Sequence, residues 1–388
     1  MEGCVKTFNF APGPTPVPDH IAQKITEPIL SHRSSEFSEL LIQISHDLKY
    51  VFQTQNDVLI LTASGSGAME AAVVNLLTPG DRVIAIRSGK FGGRWVELCE
   101  VYGMDTTVID VEWGNAVDPA VVRDMLINEG ALKAVFATHS ETSTGVLHDM
   151  ESLGQITHEM GCFLVVDAIS GLGANDLKTD AWHIDIVISG SQKGLMIPPG
   201  LSFISMSKGA WEEVKSNSTP SYYLNLKRAQ TSHDKGLTPY TPAVSLIMGL
   251  AKSLEDIKQI GLENIFQHHA RLAKITRAGV TALGLPLFAK QPSNVLTSVI
   301  FPPEVDGNKL LKTIKTQCGV TIANGMEQYK GKICRIAHLG YHIEAFEMLI
   351  AISALEFGLS HSGFSFQPGV GVAEAQRVLL ETASLTVD

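Results

Sequence analysis

Asp185-Ile-Val-Ile-Ser-Gly-Ser-Gln-Lys193-Gly-Leu-Met-Ile-Pro-Pro-Gly200 is the stretch on which the reading of this chain turns. An apolar run, Ile184 to Ile188, hands over to Ser189, Gly190, Ser191 and Gln192, then to a lone lysine, Lys193. Gly194 and a Pro-Pro-Gly turn follow, where proline stops an ordinary helix from continuing. A lysine held at a strand end among small and apolar neighbours has its charge disfavoured by desolvation, which leaves a neutral amine able to form a Schiff base. The plain alternative is a solvated surface lysine in a Ser-Gly-Ser loop, and the stretch alone leaves both open.

A partner upstream favours the first reading. Cys162-Phe-Leu-Val-Val-Asp167-Ala168 reads as a buried strand that ends in one carboxylate, the way parallel sheets present catalytic groups. Lys193 follows one strand further along. An Asp and a Lys at the ends of neighbouring strands can bracket one flat cofactor, pyridoxal 5'-phosphate: the carboxylate holds the pyridine nitrogen protonated and the lysine binds the aldehyde.

Other motifs stand in order around these two: Ala11-Pro-Gly-Pro14, His32-Arg-Ser-Ser-Glu-Phe37, Ser64-Gly-Ser-Gly-Ala-Met-Glu70, His139-Ser-Glu-Thr-Ser-Thr-Gly145 and Arg335-Ile-Ala-His-Leu-Gly340. With them the chain resembles, over nearly its whole length, the class V aminotransferases of fold type I, in the branch of the alanine–glyoxylate and serine–glyoxylate (serine–pyruvate) aminotransferases. The resemblance implies an α/β fold: a large domain with a mainly parallel sheet sandwiched by helices, and a small C-terminal α+β domain.

Ser64 to Gly67 follow an apolar strand and open a helix, so backbone N–H groups and the helix N-terminus form an anion cup. Without a Gly-Lys-Ser/Thr ending it is no nucleotide P-loop, and alone it could be a mere cap. The resemblance makes it the seat of the cofactor phosphate, using Ser66, Gly67 and the Ala68 amide, where relatives often carry histidine or threonine. It also implies that Phe91 stacks on the pyridine ring, that Thr142 bonds the phenolic oxygen and that Gln192 contacts the phosphate. Tyr240 and Thr241, with Thr238 as the other candidate, would reach the phosphate of a second subunit, making a homodimer with shared sites. Arg335 would clamp the substrate α-carboxylate through two charged hydrogen bonds, while His338 is read as structural. No metal site is implied.

The expected activity is transfer of an amino group from a small L-amino acid, alanine or serine, to an oxo acid such as glyoxylate, with Lys193 as the α-proton base and Asp167 supporting the pyridinium. Aspartate, phosphonate or ureidoglycine donors stay open, as do a lyase or desulfurase on the same fold and a non-catalytic assembly subunit. A desulfurase needs a mobile cysteine, and Cys334 has a strand-like setting.

Composition agrees with a globular enzyme: 388 residues, 45% hydrophobic and 18% charged. A net charge of −10 and the lack of a dense Lys/Arg run disfavour nucleic acid. Five widely spaced cysteines without a Cys-x-x-Cys pair indicate neither a disulfide framework nor a zinc site. The first residues lack a signal-peptide pattern, no long apolar run suggests a membrane span, and the ending Leu385-Thr-Val-Asp388 is unlike a peroxisomal signal, so a cytoplasmic protein is expected.

Residues 1–18 read as a proline-rich extended arm, 19–260 as the large cofactor domain with short apolar runs alternating with helices, and 261–388 as the small domain. Residues 358–369 read as a loop before a last helix.

Overall fold

The computed structural model describes residues 7–383; residues 385–388 and Cys4, which figured in the reading of compartment and cysteines, lie outside them. A seven-stranded sheet dominates, in the spatial order Val58–Leu61, Ser202–Met206, Ile186–Gly190, Phe163–Asp167, Ala134–Thr138, Arg82–Arg87 and Asp105–Asp110. Only Ser202–Met206 runs against its neighbours. The central strands are buried on both faces, which is why they read as continuous apolar runs. Val135 and Ala137 enter one core, Ala134 and Phe136 the other, so successive residues feed the helices on opposite faces. The edge strand Asp105–Asp110 carries Asp at both ends and is largely open, which discourages pairing with another chain.

The register levels the strand ends. Thr138 stands opposite Asp167, and Asp167 opposite Ile188. Asp167 is therefore the last residue of its strand, two positions short of the turn that leads from Gly190 to Lys193 on the next.

A second sheet of four strands has the order Phe8–Phe10, Val320–Asn324, Ile333–Ala337, Leu296–Ile300, parallel in the first pair and antiparallel thereafter. It backs onto a separate core that includes Phe10, Val299, Cys334, Ile336, Ile352 and Leu355. Helix Leu262–Ala282 gives Leu262 and Ile265 to the large core and Leu272, Ile275 and Val280 to the small one; we take it as the link between two domains.

Local detail goes beyond the sequence reading. Within the extended arm Phe8–Phe10 adds an edge strand to the small sheet; three residues are too few for an alternating pattern to be read. Helix Ala345–His361 runs into the segment taken as loop. Its Gly358 signals a break in sequence but serves packing, because a Cβ there would stand 2.8 Å from Ile314 Cγ1. Arg335 lies in the middle of strand Ile333–Ala337. Among the described residues, no helix is long and apolar enough to cross a membrane.

Candidate active site

Helix Gly65–Leu76 begins immediately beyond strand Val58–Leu61, with Ser64 as its N-cap residue. Ser66, Gly67 and Ala68 thus sit in its first turns, where backbone N–H groups point outward and the helix dipole favours an anion. The turn is tight: Gly67 N–H donates to Ser64 O, and a Cβ on Gly67 would meet Ala63 Cβ at 2.7 Å. A guanidinium joins the cup, as Arg94 Nη1 donates to Ser66 Oγ at 3.0 Å and lies over the Phe91 ring, 5.1 Å from its centre.

Asp167 is buried, and its side chain makes one hydrogen bond among the described residues, accepting from Ile169 N–H at Oδ1 over 2.8 Å. Burial pushes its carboxyl up to about 7; the Ile169 bond opposes this, Glu141 adds to it, and Arg94 and Lys193 oppose it. Lys193 is half-buried, and desolvation lowers its amine to about 8, with Asp167 pulling it up and Arg335 pushing it down. Its Nζ donates to Pro12 O, while Thr15 N–H donates to Gln192 O at 3.1 Å and Thr15 Oγ1 to Lys193 O at 3.1 Å. The arm therefore borders the lysine. Gly13 is required there: its φ is +93°, and a Cβ would stand 2.6 Å from Lys193 Nζ.

The segment 139–145 is bonded to the four-stranded sheet at the site. Thr142 Oγ1 shares a hydrogen bond with Ser170 Oγ at 2.5 Å, and Thr142 O accepts from Arg335 Nη1 at 2.9 Å. Arg335 Nε donates to Asn324 O at 2.8 Å. Those two bonds leave Nη2 and one Nη1 hydrogen for a carboxylate. Burial lowers Arg335 to about 10, which keeps it cationic at neutral pH.

Glu141 and Arg94 are the residues that motif reading passed over. The Glu141 carboxylate is fully buried and caps helix Lys90–Val101, accepting from Gly92 N–H at 2.9 Å and Phe91 N–H at 3.1 Å, so it sets where Phe91 stands. As the one charge between Ser140 and Gly145, it was a signal in plain view. Arg94 sits three residues after Phe91 on that helix, a spacing that places both on one face once the helix start is known.

Tyr240 and Thr241 are not brought to Lys193 within one chain. Tyr240 Oη donates to Tyr222 O at 2.7 Å and its ring stacks on Tyr223, with centroids 5.0 Å apart; Thr238 Oγ1 donates to Tyr240 O at 2.8 Å. Thr241 is exposed. His338 is wholly buried between Thr297 Oγ1 and Asn294 O, in keeping with a structural role.

The residues fit pyridoxal phosphate. Gln192 Oε1 is buried without a partner among the described residues, and turning the carboxamide over would present its NH2 to the same space, where a phosphoryl oxygen accepts. The one hydrogen bond to Asp167 among the described residues falls on Oδ1, which leaves Oδ2 for a donor from outside the chain.

A mainly parallel sheet flanked by helices, with Asp and Lys at the ends of adjacent strands, is the architecture of the fold-type I pyridoxal-phosphate enzymes. Within that class the chain belongs to the class-V aminotransferases, whose family pattern, described as "Aminotransferase class-V", matches residues 7–344. It is 43% identical over 380 residues to the "Soluble hydrogenase, small subunit" of Synechococcus sp. (strain PCC 6716), covering 96% of this chain and 98% of that one. It is 35% identical over 389 residues to the "Serine--glyoxylate aminotransferase" of Hyphomicrobium methylovorum, covering 97% and 95%. Among solved structures, ureidoglycine–glyoxylate aminotransferase from Bacillus subtilis superposes with a TM-score of 0.93 at 26% identity, over 98% of this chain and all of that one.

Proposed function

We propose that this chain binds pyridoxal 5'-phosphate on Lys193 and moves the amino group of a small L-amino acid, alanine or serine, to glyoxylate. The observation that carries the reading is the buried Asp167 beside a lysine whose amine desolvation lowers to about 8, with Arg335 near enough to push it down further. When bound, the cofactor supplies the electron sink for the α-carbon. Asp167 Oδ2 would face the ring nitrogen and keep it protonated, and Phe91 would cover one face of the ring. Ser66, Gly67, Ala68 and Gln192, with Arg94, would hold the phosphate. Thr142 Oγ1 would meet the phenolic oxygen. Arg335 would grip the α-carboxylate, and Lys193 Nζ in its neutral form, which an amine lowered to about 8 reaches far more readily at pH 7 than an ordinary lysine, would take the α-proton of the clamped donor.

Arg94 is turned to the cup and away from a distal carboxylate, which favours a small side chain over aspartate or glutamate. Burial pushes the thiols of Cys99, Cys162 and Cys334 up to about 12, which disfavours a cysteine nucleophile and with it a desulfurase. The Synechococcus relative is named as a small subunit of a soluble hydrogenase; the Lys193 and Asp167 arrangement supports amino-group transfer here instead. We infer a cytoplasmic homodimer, with Tyr240 and Thr241 completing the partner's cup. The exposed rings of Tyr222 and Tyr223 beside Tyr240 support such a face.

The test is glycine formation from glyoxylate with L-alanine, L-serine or L-aspartate. Glycine from alanine or serine is expected; ammonia or sulfide released without an oxo acid would replace a transferase by a lyase. Arg335→Lys keeps the charge but loses the fork, and kcat/KM is expected to fall about 10²-fold, the cost of one charge-assisted hydrogen bond, mostly through KM. Steady-state kinetics with the preferred donor checks it.

A further inference from the structure

Away from Lys193, three side chains from distant parts of the sequence converge. His20 comes from helix Asp19–Ile25, Asp256 from helix Val244–Ile260, and His342 from the turn after strand Ile333–Ala337. Asp256 Oδ2 stands 2.6 Å from His20 Nε2 and 3.6 Å from His342 Nε2. All three ligand atoms lie within 4.8 Å of one another. The carboxylate's other oxygen, Oδ1, faces Lys252 Nζ at 3.3 Å. Its two oxygens thus have separate duties: the lysine fixes the orientation of the group, and Oδ2 is turned toward both imidazoles.

The surroundings hold the carboxylate and leave the rings room to turn. The Asp256 side chain is 12% exposed, those of His20 and His342 40% and 42%. The two rings meet edge to face with centroids 5.2 Å apart. His342 also packs against Tyr341, whose hydroxyl hydrogen-bonds Ser253 Oγ, one turn before Asp256 on the same helix.

We propose that His20, Asp256 and His342 form a binding site for a divalent transition-metal ion of the Zn²⁺ or Ni²⁺ kind. Two imidazole nitrogens and one carboxylate oxygen are a donor set that suits these ions, whereas Mg²⁺ and Ca²⁺ take oxygen ligands. Tetrahedral bonds of about 2.0–2.1 Å place ligand atoms roughly 3.3 Å apart. That separation falls between the 2.6 and 3.6 Å that now divide the two histidines from Asp256, and the two imidazole ligand atoms, within 4.8 Å of each other, would come to it by rotation of the rings. A fourth position remains for water. The ion would clasp the helix that follows the arm, a core helix of the large domain and the chain just after the Arg335 strand. Through Thr15 the arm is bonded to the backbone of Gln192 and Lys193, so the clasp would stiffen the frame of the active site.

The experiment uses the full, tag-free holoenzyme after chelator treatment, titrated with ZnCl₂, NiCl₂ or MgCl₂ by calorimetry and by thermal melting. The expected result is one Zn²⁺ or Ni²⁺ bound per chain at micromolar or lower concentration, a raised Tm, and no response to Mg²⁺. His342→Gln and the isosteric Asp256→Asn are each expected to weaken binding at least about tenfold. Their metal-free melting curves control for fold, and His342→Gln, at the exposed member, is the variant expected to melt as the parent does. Absence of Zn²⁺ and Ni²⁺ binding overturns the proposal, as does binding that His342→Gln leaves unchanged; the cluster would then be a plain hydrogen-bonded clasp.

Discussion

Lys193→Ala is expected to lower the transamination rate by at least about 10⁴-fold, because one substitution removes both the attachment point of the cofactor and the base for the α-proton. The loss should be chemical rather than structural. The backbone seat of the lysine is held from outside its side chain, by Thr15 on Gln192 O and Lys193 O and by the turn in which Met196 N–H donates to Lys193 O. The variant should therefore melt as a folded protein. Lys193→Arg separates charge from chemistry: a guanidinium stays protonated at every accessible pH, so it can neither condense with an aldehyde nor accept the α-proton, and it should be as inactive as alanine. Single-turnover rates on both variants, with melting curves beside them, check this. Residual activity above about a hundredth of the parent rate would remove Lys193 from the role of base, since a general base alone contributes about 10²–10⁴-fold.

Asp167→Asn is expected to reduce kcat on the order of 10³-fold with a smaller change in KM, the size seen when one electrostatic group is removed from a water-excluded site. An amide keeps the shape and the Ile169 contact but cannot hold a ring nitrogen protonated. The same variant carries a second, independent signature in the cofactor-free chain. In the fold the Asp167 carboxyl keeps its proton up to about 7, chiefly through burial, whereas in the unfolded chain it titrates near 3.8. Between those values the unfolded chain has released a proton that the folded chain retains, so stability falls as pH rises from about 4 to about 7. Asparagine has no such term. The Tm of cofactor-free Asp167→Asn should therefore gain on the parent across that window, level off above it, and converge with the parent below pH 4. Two melting profiles that run parallel from pH 4 to 8 would mean that Asp167 is not the desolvated group described here.

The parts of the site that sequence made legible are those fixed by short-range pattern. Parallel strands buried on both faces announce themselves as apolar runs, and Asp167 and the turn carrying Lys193 stand where two such runs stop. Ser66 and Gly67 were legible for the same reason, as small residues between a strand and a helix. What stayed hidden depends on distance in the chain. Glu141 matters because it caps a helix that begins fifty residues earlier, and nothing local in the segment 139–145 says so. His20 and Asp256 meet across 236 residues, a pairing that only the packing of their two helices creates. Phe8–Phe10 becomes a strand because Val320–Asn324 lies beside it, not because three residues encode one. Gly358 misled through the opposite effect: a residue that breaks isolated helices is retained inside one because Ile314 leaves no room for a Cβ. Tyr240 and Thr241 belong to a further category, since the partner proposed for them is another subunit.

The most direct test of the central claim is the absorbance spectrum of the pyridoxal-phosphate-loaded protein, recorded before and after L-alanine or L-serine is added and again after glyoxylate. The account predicts a yellow band that depends on Lys193, disappears as the donor converts the cofactor to its pyridoxamine form, and returns with glyoxylate. A protein that stays colourless with added cofactor, or a band that none of these amino acids changes, would contradict it.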